Sequence, residues 1–388
     1  MLFDAIIVGG GLVGASLALR LAQAGLKLAV IEAHAPQASI SSADWDSRIY
    51  ALSPGSIEFL TACGAWAGVD ADRAMRVEDM RIFGDDARSE LDFSAYDSGL
   101  RELAVIVESR QVEFALWQAM RARPEIEICA PAKCESLVMN NDAATVELAG
   151  GRTLRARLVV GADGGDSWVR SAAGIPVEAK RYAQTAVVAN FECARPHGGI
   201  AHQWFSRDGI LALLPLPGGR VSMVWSTAEA HAAELLELSH DELAARVDAA
   251  SGGLLGPMHV ITPAASFPLR MQQVRNLIMP RLALVGDAAH NVHPLAGQGV
   301  NLGFADARAL AGVLAARGEQ SDCGDYFMLR RYERARREYI ASMQLATDAL
   351  QSLFSRDSAW LADARNFGLR LINRQLGLKN LLVHHAVG

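Results

Sequence analysis

The sequence predicts a mixed α/β and α+β protein: a doubly wound α/β domain built from separate stretches, a β-sheet domain inserted into it, and a C-terminal helical tail. Three observations carry this. Strand-to-helix junctions with glycine-rich turns recur at three distant places. Between the second and third, the texture changes to short β-type runs punctuated by Gly, Pro and Asp. After Tyr326 the pattern is helical to the end. The predicted boundaries are 1–75, 101–178 and 272–345 for the discontinuous α/β domain, 76–100 and 179–271 for the β-rich domain, and 346–388 for the tail.

In order along the chain, Ala5–Val8 reads as a short buried strand and Val13–Ala24 as a helix with Leu17 and Leu21 on one face. Gly25 sits where that helix should stop, and Leu28–Ile31 is the next strand. Leu158–Val160 runs into Gly161-Ala162-Asp163-Gly164, and Leu282–Val285 runs into Gly286-Asp287-Ala288-Ala289, with a helix expected from about Val300. The runs Ala186–Glu192, His202–Phe205, Ile210–Leu216 and Arg220–Thr227 predict a meandering antiparallel sheet. Pro217-Gly218-Gly219-Arg220 is a hairpin turn, His240–Ala250 a helix, and Met80–Leu91 further strands of the same sheet.

Composition bounds the function. With 388 residues, the chain is long enough for two or three cores without disulfide staples. A net charge of −6 shows no global basic excess of the kind that advertises nucleic acid. Cys63, Cys129, Cys134, Cys193 and Cys323 form no CxxC and no zinc-like pair, so free thiols in a reducing compartment are expected, and no metal. Ala5–Val8 is cut by glycines and no basic segment precedes it, so no signal peptide is expected. The longest uncharged stretch, Ala249–Leu269, contains Pro257, Pro263 and Pro268, which is not how a spanning helix is built.

The chemistry-bearing motifs sit at the junctions. Gly9-x-Gly11-x-x-Gly14 follows a strand and opens a helix, and Glu32 ends the next strand 18 residues after Gly14. That is the dinucleotide fingerprint in its required context. Gly9 makes the turn, Gly11 lets backbone approach a pyrophosphate at the helix N-terminus beside Leu12 and Val13, and Gly14 permits close helix–strand packing. Glu32 would accept hydrogen bonds from a ribose. An Asp just beyond a strand end can reach the crevice at the carboxyl ends of the strands, and Asp287 is the better candidate for ribityl hydroxyls. Either Asp163 or Asp287 alone would read as a turn or cap residue. The segment Pro294–Asn301 adds glycines suited to a flat ring and a helix start, around Gly299, Val300 and Asn301, whose positive end favours the anionic reduced form of a flavin.

Together these residues resemble the FAD-dependent aromatic hydroxylases of the para-hydroxybenzoate hydroxylase fold. The carriers are Gly9–Gly14 with Glu32, Asp163-Gly164 with Ser167 and Arg170, and Gly286-Asp287-Ala288-Ala289-His290 with Pro294 and Gly299. Asp46–Leu52, Leu214–Pro217, Val224–Ser226, His293–Gly303 and the tail from Asn366 to Leu382 are most similar to the bacterial ubiquinone-biosynthesis hydroxylases. The resemblance implies FAD contacts at Arg48, Arg110, Asp163 and Asp287, and backbone contacts to the flavin ring at Val300 and Asn301. It implies a Rossmann-like FAD domain and a β-rich ceiling over the flavin. It also implies oxygen transfer from a flavin C4a-hydroperoxide to the ring of a prenylated phenol, with O2 as co-substrate and NAD(P)H or a protein reductant as donor.

No general base is evident, although His293 lies beside the flavin loop and His202 at a strand start. The segment from Phe367 combines Leu371, Ile372, Leu376, Leu378 and Leu382 with Arg370, Arg374 and Lys379. It suits either an anionic membrane, at the inner face of the cytoplasmic membrane, or the body of a cytoplasmic protein. A biosynthetic complex or a homo-oligomer is compatible with either. Arg330–Arg337 reads as a solvated helix face. Competing readings are a hydroxylase of a small soluble aromatic acid, which needs a charged pocket, and a non-catalytic FAD-binding component of a complex. A flavin halogenase lacks its Gly-Trp-x-Trp-x-Ile segment here. A nicotinamide dehydrogenase predicts a colourless protein.

Overall fold

A computed structural model describes residues 1–34, 44–84, 89–206, 208–291, 299–318, 321–354, 379–380 and 383, with 180–182 and 344–354 described by backbone alone. The first sheet has Leu2–Val8 at its centre, parallel to Thr153–Gly161 on one side and to Leu28–Ile31 on the other. Ile126–Cys129 continues it beyond Leu28–Ile31, and Leu282–Leu284 beyond Thr153–Gly161, both parallel. Antiparallel strands Ile278–Met279, Ala144–Leu148 and Cys134–Met139 complete it. The strand order reverses at Leu2–Val8, which makes its carboxyl end the topological switch point where such sheets bind ligands.

The helices are α1 (Leu12–Gln23), α2 (Pro54–Ala62), α3 (Ser109–Arg121), α4 (Trp168–Ala172), α5 (Glu229–Glu237), α6 (His240–Ala250), α7 (Gly299–Ala315) and α8 (Tyr326–Phe354). The core under the parallel sheet joins Ile6, Ile7 and Leu17 to Val159, Leu284, Phe304 and Leu310, all nearly fully buried. Near-continuous apolar strands follow from burial on both faces.

The second sheet runs Val177–Cys193, Arg220–Ala228, Gly209–Leu216, Ile200–Ser206, Asp79–Phe83 and Glu90–Ser94, with Ala265–Val274 and His290–Asn291 on its other side. It is antiparallel except for one pair: Ile200–Ser206 runs parallel to Asp79–Phe83. The hairpin turn uses left-handed Gly218 and Gly219. Sequence reasoning placed α6 to the residue but missed α5.

Alternation divides this sheet's faces. Val187, Leu211, Leu213, Val221, Met223 and Trp225 pack under α5 and α6. Half of each apolar run is therefore sealed from any ligand. The opposite face presents half-buried Ile210, Ala212, Leu214 and Val224 with buried Asn190, Gln203, Ser222 and Ser226. Leu214 packs with Ala201, Leu216, Val77 and Ile106. Those last two belong to a small sheet of Ile49–Leu52, Ala104–Glu108 and Ala74–Val77.

No helix among the described residues is long and apolar enough to cross a membrane. Of the tail, Asn380 exchanges hydrogen bonds with Ser98 Oγ (3.1 Å) and the Asp97 carbonyl (3.2 Å), and Lys379 and Val383 are buried. Lys379 thus leaves the exposed basic surface expected of the tail. The remainder of 355–388 lies outside the described residues. Arg336 also departs from expectation: it is buried rather than part of a solvated face.

Candidate functional site

The crevice lies over the carboxyl ends of the parallel strands. At the first junction each glycine has a separate reason. Gly9 has φ +102°, and a Cβ there would lie 2.3 Å from the Ala162 carbonyl oxygen. A Cβ on Gly14 would lie 2.0 Å from the Gly9 carbonyl oxygen, so helix and turn touch there. A Cβ on Gly11 meets nothing within 4 Å. Gly11 is the N-cap of α1 with no side-chain hydrogen bond to cap it, which leaves the first-turn N–H groups of Leu12 and Val13 without a side-chain cap among the described residues. That open cradle suits an anionic pyrophosphate.

Glu32 closes the turn. Its Oε2 accepts the Gly10 N–H at 2.6 Å and its Oε1 the His34 N–H at 3.0 Å. Trp117 Nε1 donates to the Gly10 carbonyl at 2.9 Å from α3. Each carboxylate oxygen keeps a lone pair for a further donor. Beside Glu32, a cleft of about 550 Å³ is lined by Ala33, Ile128, Cys129, Pro131, Lys133 and Arg152.

Arg48 and Arg110 are placed by one acid. Asp46 Oδ1 accepts the Arg48 N–H (3.0 Å), and Oδ2 accepts the Arg110 N–H (3.2 Å) with Arg110 Nε 3.5 Å away. Asp46 is itself fixed by Glu108, which accepts its N–H at 2.6 Å, and by Asn190 of the second sheet, which donates to its carbonyl at 2.8 Å. Glu108 is buried against Arg73 in a two-pronged ion pair, at 2.7 and 2.8 Å. Arg48 is exposed and faces the crevice, where its charge acts on Tyr50, Glu113 and Asp287.

The second and third junctions differ. Asp163 is used internally: Ser167 Oγ donates to its Oδ1 at 2.5 Å and the Val169 N–H to its Oδ2 at 3.0 Å, which ties down the start of α4. Ser167 and Arg170 complete that turn, Arg170 donating to the Ala288 and Gly165 carbonyls. Asp287 bonds to none of these groups. It is accessible to solvent yet deeply enclosed by protein, as expected of a crevice wall. Burial pushes its carboxyl up, and the charges of His290 and Arg48 oppose that rise.

Helix α7 organises these parts. Asn301 spends its side chain on the chain around α2: Oδ1 accepts from Ser53 N–H (3.1 Å) and Ser56 Oγ (2.8 Å), and Nδ2 donates to the Ala51 carbonyl (3.0 Å). Gly299 and Val300 open α7. A Cβ on Gly303 would strike Val13 at 2.6 Å, so α7 and α1 are pressed together. His293 and Pro294 lie outside the described residues. His202 is buried on the helix-covered side of the second sheet, stacked with Trp204 and Phe83, and so does not face the crevice. The role considered for it is thereby removed.

Residues 3–346 match the model of a family described as FAD binding domain. The chain belongs to that FAD-binding family. It is 38% identical over 387 residues to the 3-demethoxyubiquinol 3-hydroxylase of Escherichia coli (strain K12), covering 98% of this chain and 97% of that one. It is 36% identical to the ubiquinone hydroxylase UbiL of Rhodospirillum rubrum, covering 99% and 89%. Among solved structures, Pseudomonas aeruginosa PqsL in complex with 2-aminobenzoylacetate superposes with TM-score 0.80 at 24% identity, over 95% of this chain and 100% of that one. The p-nitrophenol 4-monooxygenase PnpA of Pseudomonas putida DLL-E4 gives 0.80 at 20%, over 100% and 98%. These two likenesses establish the fold of this FAD-binding protein.

Sequence reasoning missed the anchors: Asp46, Glu108 with Arg73, Asn190, and the buried acid Asp306 of α7. Asp306 did leave a signal, an acid inside the otherwise uncharged run Leu302–Ala307, where a carboxylate must find partners.

Proposed function

We propose that this protein is an FAD-dependent monooxygenase that hydroxylates the aromatic ring of a polyprenylated phenol in ubiquinone biosynthesis. The observation that carries the reading is one crevice assembled from three distant junctions beneath a half-buried apolar sheet face. Two relatives above 35% identity over nearly the whole chain carry ubiquinone-hydroxylase names, which supports the substrate class.

Gly11 and the first N–H groups of α1 hold the pyrophosphate, and Glu32 takes the adenosine ribose. Arg48 and Arg110 balance the phosphate charge. Asp287 accepts from the ribityl hydroxyls. Val300 and Asn301 offer backbone N–H groups at the start of α7 to the flavin ring, where a helix N-terminus stabilises negative charge. Asp163 acts by shaping the second turn. Bound FAD supplies electron transfer from NAD(P)H or a protein reductant to O2 and delivery of one oxygen atom. The chain's residues orient the substrate ring and keep water out. Ile210, Ala212, Leu214 and Val224 form a wall without charge, which favours a neutral lipid phenol over an aromatic carboxylate.

Residues 1–75, 101–178 and 272–345 form the FAD domain in this reading, with 76–100 and 179–271 as its cover. A mass-spectrometric profile of quinone intermediates in cells lacking the protein tests it. Accumulation of a prenyl phenol short of one oxygen is expected, and an unchanged profile without a redundant hydroxylase would refute it.

A further inference from the structure

Asp306 is completely buried in the middle of α7. Its Oδ2 accepts the Gly286 N–H at 2.9 Å and lies 2.6 Å from His290 Nε2. Its Oδ1 accepts Arg336 Nε at 2.6 Å. One carboxylate thus bridges the third turn, the strand that leaves it, and α8. Arg336 also donates to the Leu302 carbonyl at 3.3 Å, and His290 is 2% exposed. The fold does not need a charge here, because Leu302, Phe304, Ala307 and Leu310 already fill this helix's buried face. Replacing a buried ion cluster by apolar residues of the same volume is often neutral or stabilising, so stability alone does not account for this one.

What it fixes is the turn that carries Asp287. Gly286 is left-handed (φ +60°) and packs on Val13, and Asp287 follows it directly. Arg170 holds the far side of the same turn through the Ala288 carbonyl at 3.0 Å. We propose that Asp306 is a positioning residue for the cofactor: by holding the Gly286 N–H and His290, it sets the direction in which Asp287 meets FAD. The inference rests on the assignment of Asp287 to FAD. His290 serves both acids, as the hydrogen-bond partner of Asp306 and as the charge that most opposes the burial of Asp287.

The test is a double-mutant cycle on FAD affinity of the apoprotein, read by flavin fluorescence, with Asp287→Asn, Asp306→Asn and the pair. Each single change is expected to weaken FAD about tenfold or more, and the pair to be no weaker than the poorer single variant within about twofold. A residue that merely supports the fold would instead multiply its effect with that of Asp287→Asn. Multiplied effects, or wild-type affinity in Asp306→Asn alone, overturn the inference while leaving Asp287 assigned. Wild-type affinity in Asp287→Asn overturns that assignment and the inference together. Where Asp306→Asn does not fold, His290→Phe, which removes the donor toward Asp306, takes its place in the cycle. The same non-additivity is then expected, and additivity overturns the inference.

Discussion

Gly11 and Gly14 are three residues apart, yet alanine should act on them in opposite ways. At Gly11 the φ of −67° is open to any residue and a Cβ meets no atom of the described residues within 4 Å. Gly11→Ala should leave the apoprotein as stable as before, or more stable by about 0.4–1 kcal/mol through lost unfolded-state freedom. The methyl would instead occupy the space where the pyrophosphate meets the α1 N-terminus. An overpacking cost of about 1–3 kcal/mol then falls on binding alone, roughly a fivefold to 150-fold rise in the FAD dissociation constant. At Gly14 the Cβ would lie 2.0 Å from the Gly9 carbonyl oxygen, so the protein itself must shift. Gly14→Ala should destabilise the apoprotein by at least about 1–3 kcal/mol. Urea unfolding of both apoproteins and flavin fluorescence titration make the comparison. Wild-type FAD affinity in Gly11→Ala would refute the cradle, and unchanged stability in Gly14→Ala would refute the packing argument.

Asn301→Ala strands the Ser53 N–H, Ser56 Oγ and the Ala51 carbonyl. A loss of about 2–4 kcal/mol in urea unfolding is expected, since each stranded group costs about 1–3 kcal/mol less what water recovers. For Asp287, a folded-state pKa above the unfolded value means that native protein binds more protons in that window, so its contribution worsens as pH rises through it. Asp287→Asn should therefore stabilise the apoprotein near pH 7 while weakening FAD; a lower melting temperature there would contradict the crevice-wall assignment. Asp306 has the opposite sign. Burial raises its carboxyl, but His290 and Arg336 together hold it below the usual range, so its contribution is present at neutral pH and lost as pH falls through that lowered value. His202 is pushed down to about 4 by burial, then by the charges of Arg81 and His197. Stability should fall as pH drops from 6.5 toward 4, and His202→Phe should flatten that slope in thermal melts across the range.

Local pattern made much of this molecule legible. The fingerprint glycines, the acid closing Leu28–Ile31, the Gly218–Gly219 hairpin and α6 with its Ser239–Glu242 capping box are set by residues within a few positions of one another. The long-range anchors were not legible. Asp46 meets Asn190 across 144 positions and Asn301 meets Ser53 across 248, and no periodicity marks such pairs. Asp163 shows the limit from the other side. Taken alone its motif reads as a turn or cap residue, the neighbouring motifs suggest a ligand contact, and the bonds from Ser167 and Val169 show the cap. The apolar runs of the second sheet do not show by themselves which residues face a ligand, because a period of two gives α5 and α6 half of what a run offers.

The central claim is oxygen transfer to a prenylated phenol by the FAD-loaded protein. Its most direct test is turnover of a short-chain prenyl phenol by purified protein under 18O2 with NADPH or a chemical reductant, followed by mass spectrometry. The account predicts one 18O atom in the ring of the product and none from labelled water. A product carrying water-derived oxygen, or reduced flavin consumed by O2 with the phenol untouched, would contradict it.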